Sequence, residues 1–328
     1  MKPKLLVTIF AATIVSLSLF IPGKAFLTKH APQARTLAER LGYPRDAKLL
    51  IVHADDLGMA HSVNAATIKA FESGLVSSGS IMVPCPWFAE IAAYAGKHPQ
   101  ADLGLHLTLT SEWIPYKWGP VLPPDRVASL LDKSGYLYLT EAEAAKHANV
   151  REVEAEIRAQ IERARAFGIQ PTHLDSHMGT LYQNRALFET FLKVSRDNRL
   201  LLRVSKDMFS TMEFLSAVIG PNEVVIDRIV SIGPDVAPEN WTQYYTDAIK
   251  SIQPGVTEII VHIAYDDAEM RAATVDHPDW GAAWRQRDFD FFTSEAFRNL
   301  LQENNIKLIT WREIGKLVYP RNSISSSF

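Results

Sequence analysis

Carboxylates and imidazoles follow or interrupt several apolar runs of this 328-residue sequence. These side chains bind divalent metals and move protons in hydrolysis. A carboxylate at the end of a buried strand loses its hydration, a large cost unless a cation, hydrogen bonds or a metal offsets it. The residues in question are Asp55 and Asp56 after "KLLIVHA", His106 in "LGLHLTLT", His173, Asp175 and His177 in "THLDSH", and His262 in "EIIVHIAY". One carboxylate and two imidazoles are a common ligand set for a hydrolytic metal, so these residue types predict a metal site.

The two adjacent aspartates, Asp55 and Asp56, indicate two roles. One carboxylate can bind a metal while its neighbour, pointing elsewhere, takes a proton from water. The alternative is an Asp-rich turn that caps a helix beginning near Ser62. Capping requires one aspartate and does not explain the buried strand before it, so we favour the two-role interpretation.

His106 lies in a strand with strict alternation. Leucines at 103, 105, 107 and 109 alternate with small or polar residues at 104, 106, 108 and 110. Period-two alternation places the leucines on one face and His106 on the other, towards the centre of the fold. An isolated histidine here is usually a core residue bonded to a backbone carbonyl. With other titratable strand ends expected nearby, we predict a metal ligand.

"HLDSH" shows the same spacing: His173, Asp175 and His177 share one face if the chain stays extended. His177 lies furthest towards the carboxyl end, where ligands gather in α/β folds. His173 and Asp175 are expected to orient it or to hold the loop, and both are also candidates for substrate contact. A turn with a helix cap is the other interpretation of this segment.

Apolar runs of strand length alternate with amphipathic helical segments over about 280 residues, which predicts an α/β fold with mostly parallel strands. Seven to eight such units favour a distorted (β/α) barrel over an open sheet. The predicted strands are 48–54, 77–83, 102–109, 171–176, 201–205, 223–232, 257–265 and 306–311.

Residues 111–150 interrupt this alternation with four prolines and several aromatic residues, as a substrate-facing loop would. Trp113 and Trp118 are candidate flat apolar surfaces for the substrate. Arg285 is expected either to bind an acidic group or to form a structural ion pair. His53, directly before the aspartate pair, is a further candidate for substrate contact.

The N-terminus has the pattern of a secretory signal peptide: Lys2 and Lys4, an apolar run over 5–21, and a cleavage site after Ala25. An uncleaved membrane anchor over 5–21 is the alternative. We expect a linker over 26–46, one domain over 47–318 and a tail over 319–328. Removing residues 1–25, which carry three lysines and no acids, takes the net charge from −3 to −6. A mildly acidic chain without a basic tract argues against nucleic acid as a partner.

The blocks "LLIVHADDLGMAHSVNAATIKAFESGLVSSGSIMV", "LGLHLTLT", "PTHLDSHMG" and "EIIVHIAY" resemble, in order and spacing, the YdjC-like carbohydrate deacetylases. The resemblance covers roughly residues 47–315. It implies a distorted barrel with one divalent metal held by Asp56, His106 and His177, with Asp55 as catalytic base and His262 as acid. It also implies deacetylation of an N-acetylated carbohydrate, in a periplasmic or extracellular setting if the signal peptide is used.

Two other functions fit the same residues. One is a metal hydrolase that cleaves another amide or an ester, and the other is a non-catalytic sugar-binding protein of the cell envelope. The ligand set favours Zn²⁺ or Mg²⁺ and is also compatible with Mn²⁺, Co²⁺ or Ni²⁺. The sequence does not indicate an oligomeric state.

Overall fold

A computed structural model describes residues 34–319 of the chain. In this range eight strands alternate with helices, and each strand overlaps one of the predicted runs. The strands are β1 (Lys48–Leu57), β2 (Ser78–Ile81), β3 (Leu103–Leu107), β4 (His173–Ser176), β5 (Leu201–Leu202), β6 (Arg228–Ser231), β7 (Gly255–Val261) and β8 (Ile306–Leu308).

The helices pack around the sheet. They are α1 (Leu37–Arg40), α2 (His61–Glu72), α3 (Phe88–Lys97), α4 (Glu141–His147), α5 (Val150–Ala166), α6 (Arg185–Asn198), α7 (Met208–Thr211), α8 (Leu215–Val218), α9 (Trp241–Lys250), α10 (Ala268–Ala273), α11 (Ala282–Phe292), α12 (Glu295–Glu303) and α13 (Trp311–Val318). Short 3₁₀ turns span Pro124–Arg126, Ala128–Leu130, His177–Tyr182 and Pro238–Asn240.

Helix α5 illustrates how the sequence directs these helices to the sheet. Val153, Ile157, Ile161 and Ala164 recur at spacings of three and four residues, and all are buried. The side chain of Asn149 caps the first turn by accepting a hydrogen bond from the Arg151 backbone N–H. Glu156 and Gln160 are also buried, and Glu156 accepts hydrogen bonds from the backbone N–H groups of Val121 and Leu122. The other polar residues of the helix are partly or fully exposed.

The strands form one parallel sheet in the order β5-β4-β3-β2-β1-β7-β6, and β8 pairs with the first residues of β1. The registers of β3 and β4 place His106 opposite Asp175. Beyond β5, an isolated parallel bridge between Ser205 and Ile226 links the two ends of this order. We call the region between β5 and β6 the seam. The predicted distorted barrel is confirmed, with the seam as its distortion.

The domain begins earlier than predicted. Thr36 and Glu39 form a reciprocal capping box at the start of α1, and Ala38 is fully buried. Ala38 belongs to an apolar cluster with Ile51, Trp311 and others at the base of the barrel. The predicted linker over 26–46 is therefore wrong for α1, because its apolar side chains cover the base of the barrel.

The insertion over 111–150 is more ordered than a loop. It contains two of the 3₁₀ turns and α4, whose first turn is capped by the Thr140 side chain. Isolated bridges join Thr110 to Tyr138 and Leu131 to Leu137. The insertion thus forms a defined wall next to the carboxyl end of β3.

Within residues 34–319, no helix combines the length and the hydrophobicity that crossing a membrane requires. The predicted signal peptide over 1–25 and the tail from residue 320 onward lie outside the described residues. Export therefore stays a prediction.

Candidate active site

A cavity of about 410 Å³, the main pocket, opens at the carboxyl ends of the strands. It brings together most of the residues that the sequence singled out. Its lining includes Asp55, Asp56, His106, Glu112, Trp113, His177, Arg203, His262, Trp280 and Arg285. The expected convergence of strand ends on one site is thus observed.

An irregularity in β1 explains how two adjacent aspartates reach one pocket. Consecutive side chains of a regular strand point to opposite faces. Here the register of β1 against β2 shifts between Ala54 and Leu57, and Asp56 has a φ of +70°. A left-handed backbone costs an ordinary residue roughly 1–2 kcal/mol, and this strained turn brings the carboxylates of Asp55 and Asp56 to the same cavity.

Asp56 lies between two histidines and an arginine. Its Oδ1 is 3.4 Å from His106 Nε2 and 3.4 Å from His177 Nδ1, and its Oδ2 accepts a 2.7 Å hydrogen bond from Arg285 Nη2. Among the residues that the structure describes, Asp56 Oδ1 is buried without a hydrogen-bond partner. A buried carboxylate oxygen without a partner is costly, and a cation at this point would offset the cost.

Both histidines hold a carboxylate with their other ring nitrogen. His106 Nδ1 is 2.5 Å from Asp175 Oδ1, and His177 Nε2 is 2.9 Å from Glu112 Oε2. This is the arrangement by which proteins orient metal-binding imidazoles. One ligand atom from each of Asp56, His106 and His177 lies within 4.8 Å of the others. These three residues, which we call the metal cluster, fit a divalent ion.

Charge in the metal cluster depends on pH. Burial raises the pKa of Asp56, but Arg285, His106 and His177 together outweigh burial and hold that pKa well below its usual range. Burial alone would lower the pKa of His177, yet the Glu112 and Asp56 carboxylates raise it to about 9. A metal must displace such imidazole protons, so the affinity of the cluster for a metal rises with pH.

Asp55 has different surroundings. Its Oδ1 contacts Ser80 Oγ at 3.1 Å, His53 Nε2 at 3.1 Å and Arg203 Nη1 at 3.2 Å. Its Oδ2 lies 3.8 Å from His106 Nε2, beside the metal cluster. Burial raises the pKa of Asp55, but Arg203 and His106 outweigh burial and hold it far below its usual range. Asp55 is therefore a carboxylate with one oxygen anchored and the other next to the cluster.

Asp55 belongs to a set of charges that we call the buried polar layer: His53, Asp55, Asp175, Arg203 and Glu258. Arg203 Nη1 lies 3.2 Å from the carboxylates of both Asp55 and Asp175. Burial lowers the pKa of His53, but Asp175 and Asp55 raise it to about 9. The layer thus pairs buried carboxylates with two cations: Asp55 and Arg203 line the pocket, and His53, Asp175 and Glu258 lie outside its lining.

The expected substrate contacts of His53, His173 and Asp175 are corrected by their burial. All three side chains are fully buried, and none lines the main pocket. The ring of His173 stacks on that of Trp311 at 5.4 Å, and it packs over Gly104. These residues contact other site residues rather than the space where a substrate would lie.

The two tryptophans of the insertion differ. Trp113 lines the main pocket, and the guanidinium of Arg285 lies 5.5 Å from the centre of its ring. Trp118 is buried behind it and donates a hydrogen bond from Nε1 to the Thr110 carbonyl. The predicted substrate contact at Trp118 is therefore corrected: its ring packs edge-on against Trp113 and His177.

His262 lines the main pocket, where β7 ends. Its backbone N–H donates to Asp288 Oδ2 at 2.9 Å, and within the described chain its Nδ1 is buried without a partner. Burial lowers the pKa of His262 to about 4. The ring is therefore neutral at pH 7 and has a nitrogen free for a ligand.

A family model described as YdjC-like protein matches residues 49–303, which is more than half of the chain. The chain belongs to the YdjC-like family. Among curated relatives, a carbohydrate deacetylase from Thermus thermophilus is 30% identical over 293 residues, which cover 86% of this chain and 99% of that protein. A chitooligosaccharide deacetylase from Yersinia enterocolitica is 27% identical over 268 residues, covering 80% and 97%.

The YdjC-like fold is also found in a crystal structure from Enterococcus faecalis V583, of a protein to which cleavage of cellobiose phosphate has been ascribed. The two chains superpose with a TM-score of 0.68 at 27% identity, covering 82% of this chain and 99% of that one. Similarity of this extent supports the barrel described above over its whole length.

Sequence reasoning missed two site residues of this YdjC-like domain, Arg203 and Glu112. Arg203 interrupts the apolar run "LLRVS". A buried cation at a strand end needs a carboxylate partner, just as a buried carboxylate needs a cation. That signal was available. Glu112 carried none, because its partner His177 lies 65 residues away and meets it only in the fold.

Proposed function

We propose that this protein removes acetyl groups from N-acetylated carbohydrates by metal-dependent hydrolysis. The observation that carries the proposal is Oδ1 of Asp56, which has no hydrogen-bond partner within residues 34–319 and lies between two imidazoles whose other ring nitrogens contact carboxylates. A second carboxylate, Asp55, lies beside it in a pocket of ligand size. The deacetylase names of the two relatives support a carbohydrate as the substrate.

Asp56, His106 and His177 would hold the metal. When bound, the ion supplies a Lewis acid that polarises the acetamide carbonyl and makes water more acidic. Two imidazoles and one carboxylate are ligands of the kind found in catalytic zinc sites, and Mg²⁺ is the other candidate. Arg285 keeps Asp56 ionised, so the carboxylate is ready to bind at neutral pH.

Asp55 acts as the base in this proposal. Three contacts fix its Oδ1, so the carboxylate is held in one conformation with Oδ2 towards the pocket. Arg203 keeps the carboxylate ionised at any working pH. The same arginine makes Asp55 a weak base, so the proton transfer depends on a water that the bound metal would make more acidic.

His262 acts as the acid. It is neutral in the resting protein, so it must first take up a proton. In this proposal that proton is the one that Asp55 removes from the attacking water, and His262 passes it to the leaving nitrogen as the C–N bond breaks. With a pKa of about 4, the protonated ring gives up this proton readily. Trp113 and Arg285 line the same pocket and are the proposed contacts for the sugar.

We also propose that the enzyme is exported, on the strength of Lys2, Lys4 and the apolar run over 5–21. Fusing residues 1–30 to a reporter that is active only outside the cytoplasm tests this. A processed, exported reporter supports export, and an inactive cytoplasmic one contradicts it.

The direct test of the function is acetate release from a panel of N-acetylated sugars, acetyl esters and unrelated amides. Each substrate is assayed with the protein as purified, after chelation, and after readdition of Zn²⁺ or Mg²⁺. We expect acetate from N-acetylated sugars, loss on chelation and recovery with one ion. Turnover of esters or unrelated amides alone would favour another metal hydrolase, and sugar binding without turnover would favour a binding protein.

A further inference from the structure

A second cavity of about 310 Å³ lies beside the main pocket, and we call it the seam chamber. The two cavities share four lining residues: Ser176, Gly179, Arg203 and Ile260. A ligand seated in the main pocket therefore has a second space within reach, on the side of Asp55 and its partner Arg203.

The seam chamber exists because the barrel closes poorly between β5 and β6. Ser205 and Asp207 follow β5, Ile229 lies on β6, and all three line the chamber. Beyond β5, the two sides of the seam meet at the isolated Ser205–Ile226 bridge. The fold thus leaves a gap at its carboxyl end that a fully paired barrel would fill with strands.

The lining of the seam chamber combines apolar and hydroxyl-binding groups. Met208, Ile229 and Ile260 provide apolar surface, while Ser205, Asp207 and Thr211 provide polar atoms. Ser205 is fully buried, and its Oγ finds no hydrogen-bond partner anywhere in residues 34–319. A buried hydroxyl without a partner is destabilising, which points to a ligand that supplies the missing bond.

The charges of the seam chamber select against anions. Its lining contains one arginine, Arg203, which already lies 3.2 Å from each of two carboxylates, Asp55 and Asp175. Asp207 adds a carboxylate, one oxygen of which accepts a hydrogen bond from the Ile229 backbone. A phosphate here would face the Asp207 charge without a spare cation, whereas the hydroxyls of a neutral ring would find acceptors.

We propose that the seam chamber binds an uncharged second sugar ring, linked to the N-acetylated ring whose acetyl group reacts in the main pocket. The proposal rests on the proposed function and specifies its substrate: a neutral saccharide of at least two rings. The apolar residues pack against the face of the ring, Ser205 Oγ donates to a hydroxyl, and Asp207 accepts from one.

The test compares Thr211→Trp, which fills the chamber from its exposed rim, with Ser210→Trp. Ser210 precedes Thr211 on α7 but does not line the chamber, so the two variants carry the same change on the same short helix. The substrates are an N-acetylated monosaccharide, the corresponding neutral disaccharide, and that disaccharide with a phosphate on its second ring. The quantity measured is kcat/KM for acetate release.

We expect the wild type to prefer the neutral disaccharide over both other substrates at least tenfold. Thr211→Trp should reduce the disaccharide-to-monosaccharide ratio of kcat/KM at least tenfold, and Ser210→Trp should leave that ratio unchanged. Ser205→Ala, which removes one hydroxyl, should reduce the ratio about threefold to tenfold. Equal use of all three substrates, or an unchanged ratio in Thr211→Trp, would overturn the proposal.

Calorimetric binding of the neutral disaccharide separates this proposal from the proposed function, because binding needs no turnover. Binding to the wild type that Thr211→Trp weakens and Ser210→Trp preserves supports the seam chamber even if no acetate is released. Acetate release from the disaccharide with equal binding by all three proteins supports the function and rejects the chamber.

Discussion

Asp55 and Asp56 are adjacent in the chain, yet they lie in opposite surroundings. Asp56 belongs to the metal cluster, where one of its oxygens lacks a partner in the described structure and faces two oriented imidazoles. Asp55 belongs to the buried polar layer, where three groups fix one oxygen. The difference shows how one strained turn in β1 can give two identical side chains two chemical roles.

The two regions also treat charge differently. In the buried polar layer, His53 and Arg203 already supply cations to the carboxylates. In the metal cluster, Arg285 satisfies only one oxygen of Asp56 and leaves the other to a metal. The layer thus supplies its own cations, although Asp175 Oδ2 and Glu258 Oε2 also lack a hydrogen-bond partner within residues 34–319, whereas in the metal cluster the cation for Asp56 Oδ1 is the proposed metal.

The largest effect on catalysis is expected in His262→Ala, which removes the proposed general acid and leaves the metal cluster and the buried polar layer intact. Removing a general acid should lower kcat for N-acetylated sugars about 100- to 10,000-fold, with metal content unchanged. An O-acetyl ester, whose leaving group needs less protonation, should lose far less activity. Equal losses with amide and ester would show that His262 is not the acid.

A smaller effect, on metal affinity, is expected when the carboxylate that orients His177 is changed. Glu112→Gln removes the negative charge that orients His177 Nε2, and it should weaken metal binding about 10- to 100-fold. Glu141→Gln is the control, because Glu141 lines the same pocket and no described contact joins it to either histidine. Metal titration of both apoproteins measures the effect. Equal metal affinity in the two variants would show that Glu112 does not contribute to metal binding through His177.

The pH dependence of kcat/KM in Arg203 variants tests the pairing of Arg203 with Asp55 in the buried polar layer. The arginine lowers the pKa of Asp55, and the base works only when ionised, so activity is lost as pH falls through that pKa. In the wild type this pKa lies below any working pH. Arg203→Gln leaves the effect of burial less opposed, so it should raise the pKa of Asp55 towards the working range and give kcat/KM an acid limb at higher pH than in the wild type. Arg203→Lys, which keeps the charge, should move it less. An unmoved limb in Arg203→Gln would contradict the pairing.

The smallest effect is on stability. A Cβ on Gly104 would lie 2.4 Å from His173 Nε2, so Gly104→Ala must displace a ring packed beneath the site. We expect a loss of about 1–3 kcal/mol in the free energy of unfolding, measured by urea denaturation. Gly96→Ala on α3, where a Cβ meets nothing within 4 Å, should not destabilise the protein. Equal stability of Gly104→Ala and wild type would disprove the close packing.

The sequence predicts the fold and the pocket well, because both follow from periodicity. Alternation in β3 turns His106 inward, and the carboxyl ends of parallel strands meet at one place. The division between pocket and layer could not be predicted in this way. His173 and Asp175 share a face with His177, but depth below the pocket depends on how the barrel curls, which no local spacing encodes.

The contacts that complete the site are equally non-local. Glu112 meets His177 across 65 residues, and Arg203 meets Asp55 across 148. The seam chamber results from a failure of strand pairing, which is a property of the closed sheet. Such features depend on tertiary geometry, so only the structure reveals them.

The most direct test of the two-role account is metal content and acetate release measured on the isosteric pair Asp55→Asn and Asp56→Asn. We predict that Asp55→Asn keeps its metal and loses about 100- to 10,000-fold in kcat. Asp56→Asn should lose both the metal and the activity. Near-normal activity in Asp55→Asn, or full metal content with activity in Asp56→Asn, would contradict the account.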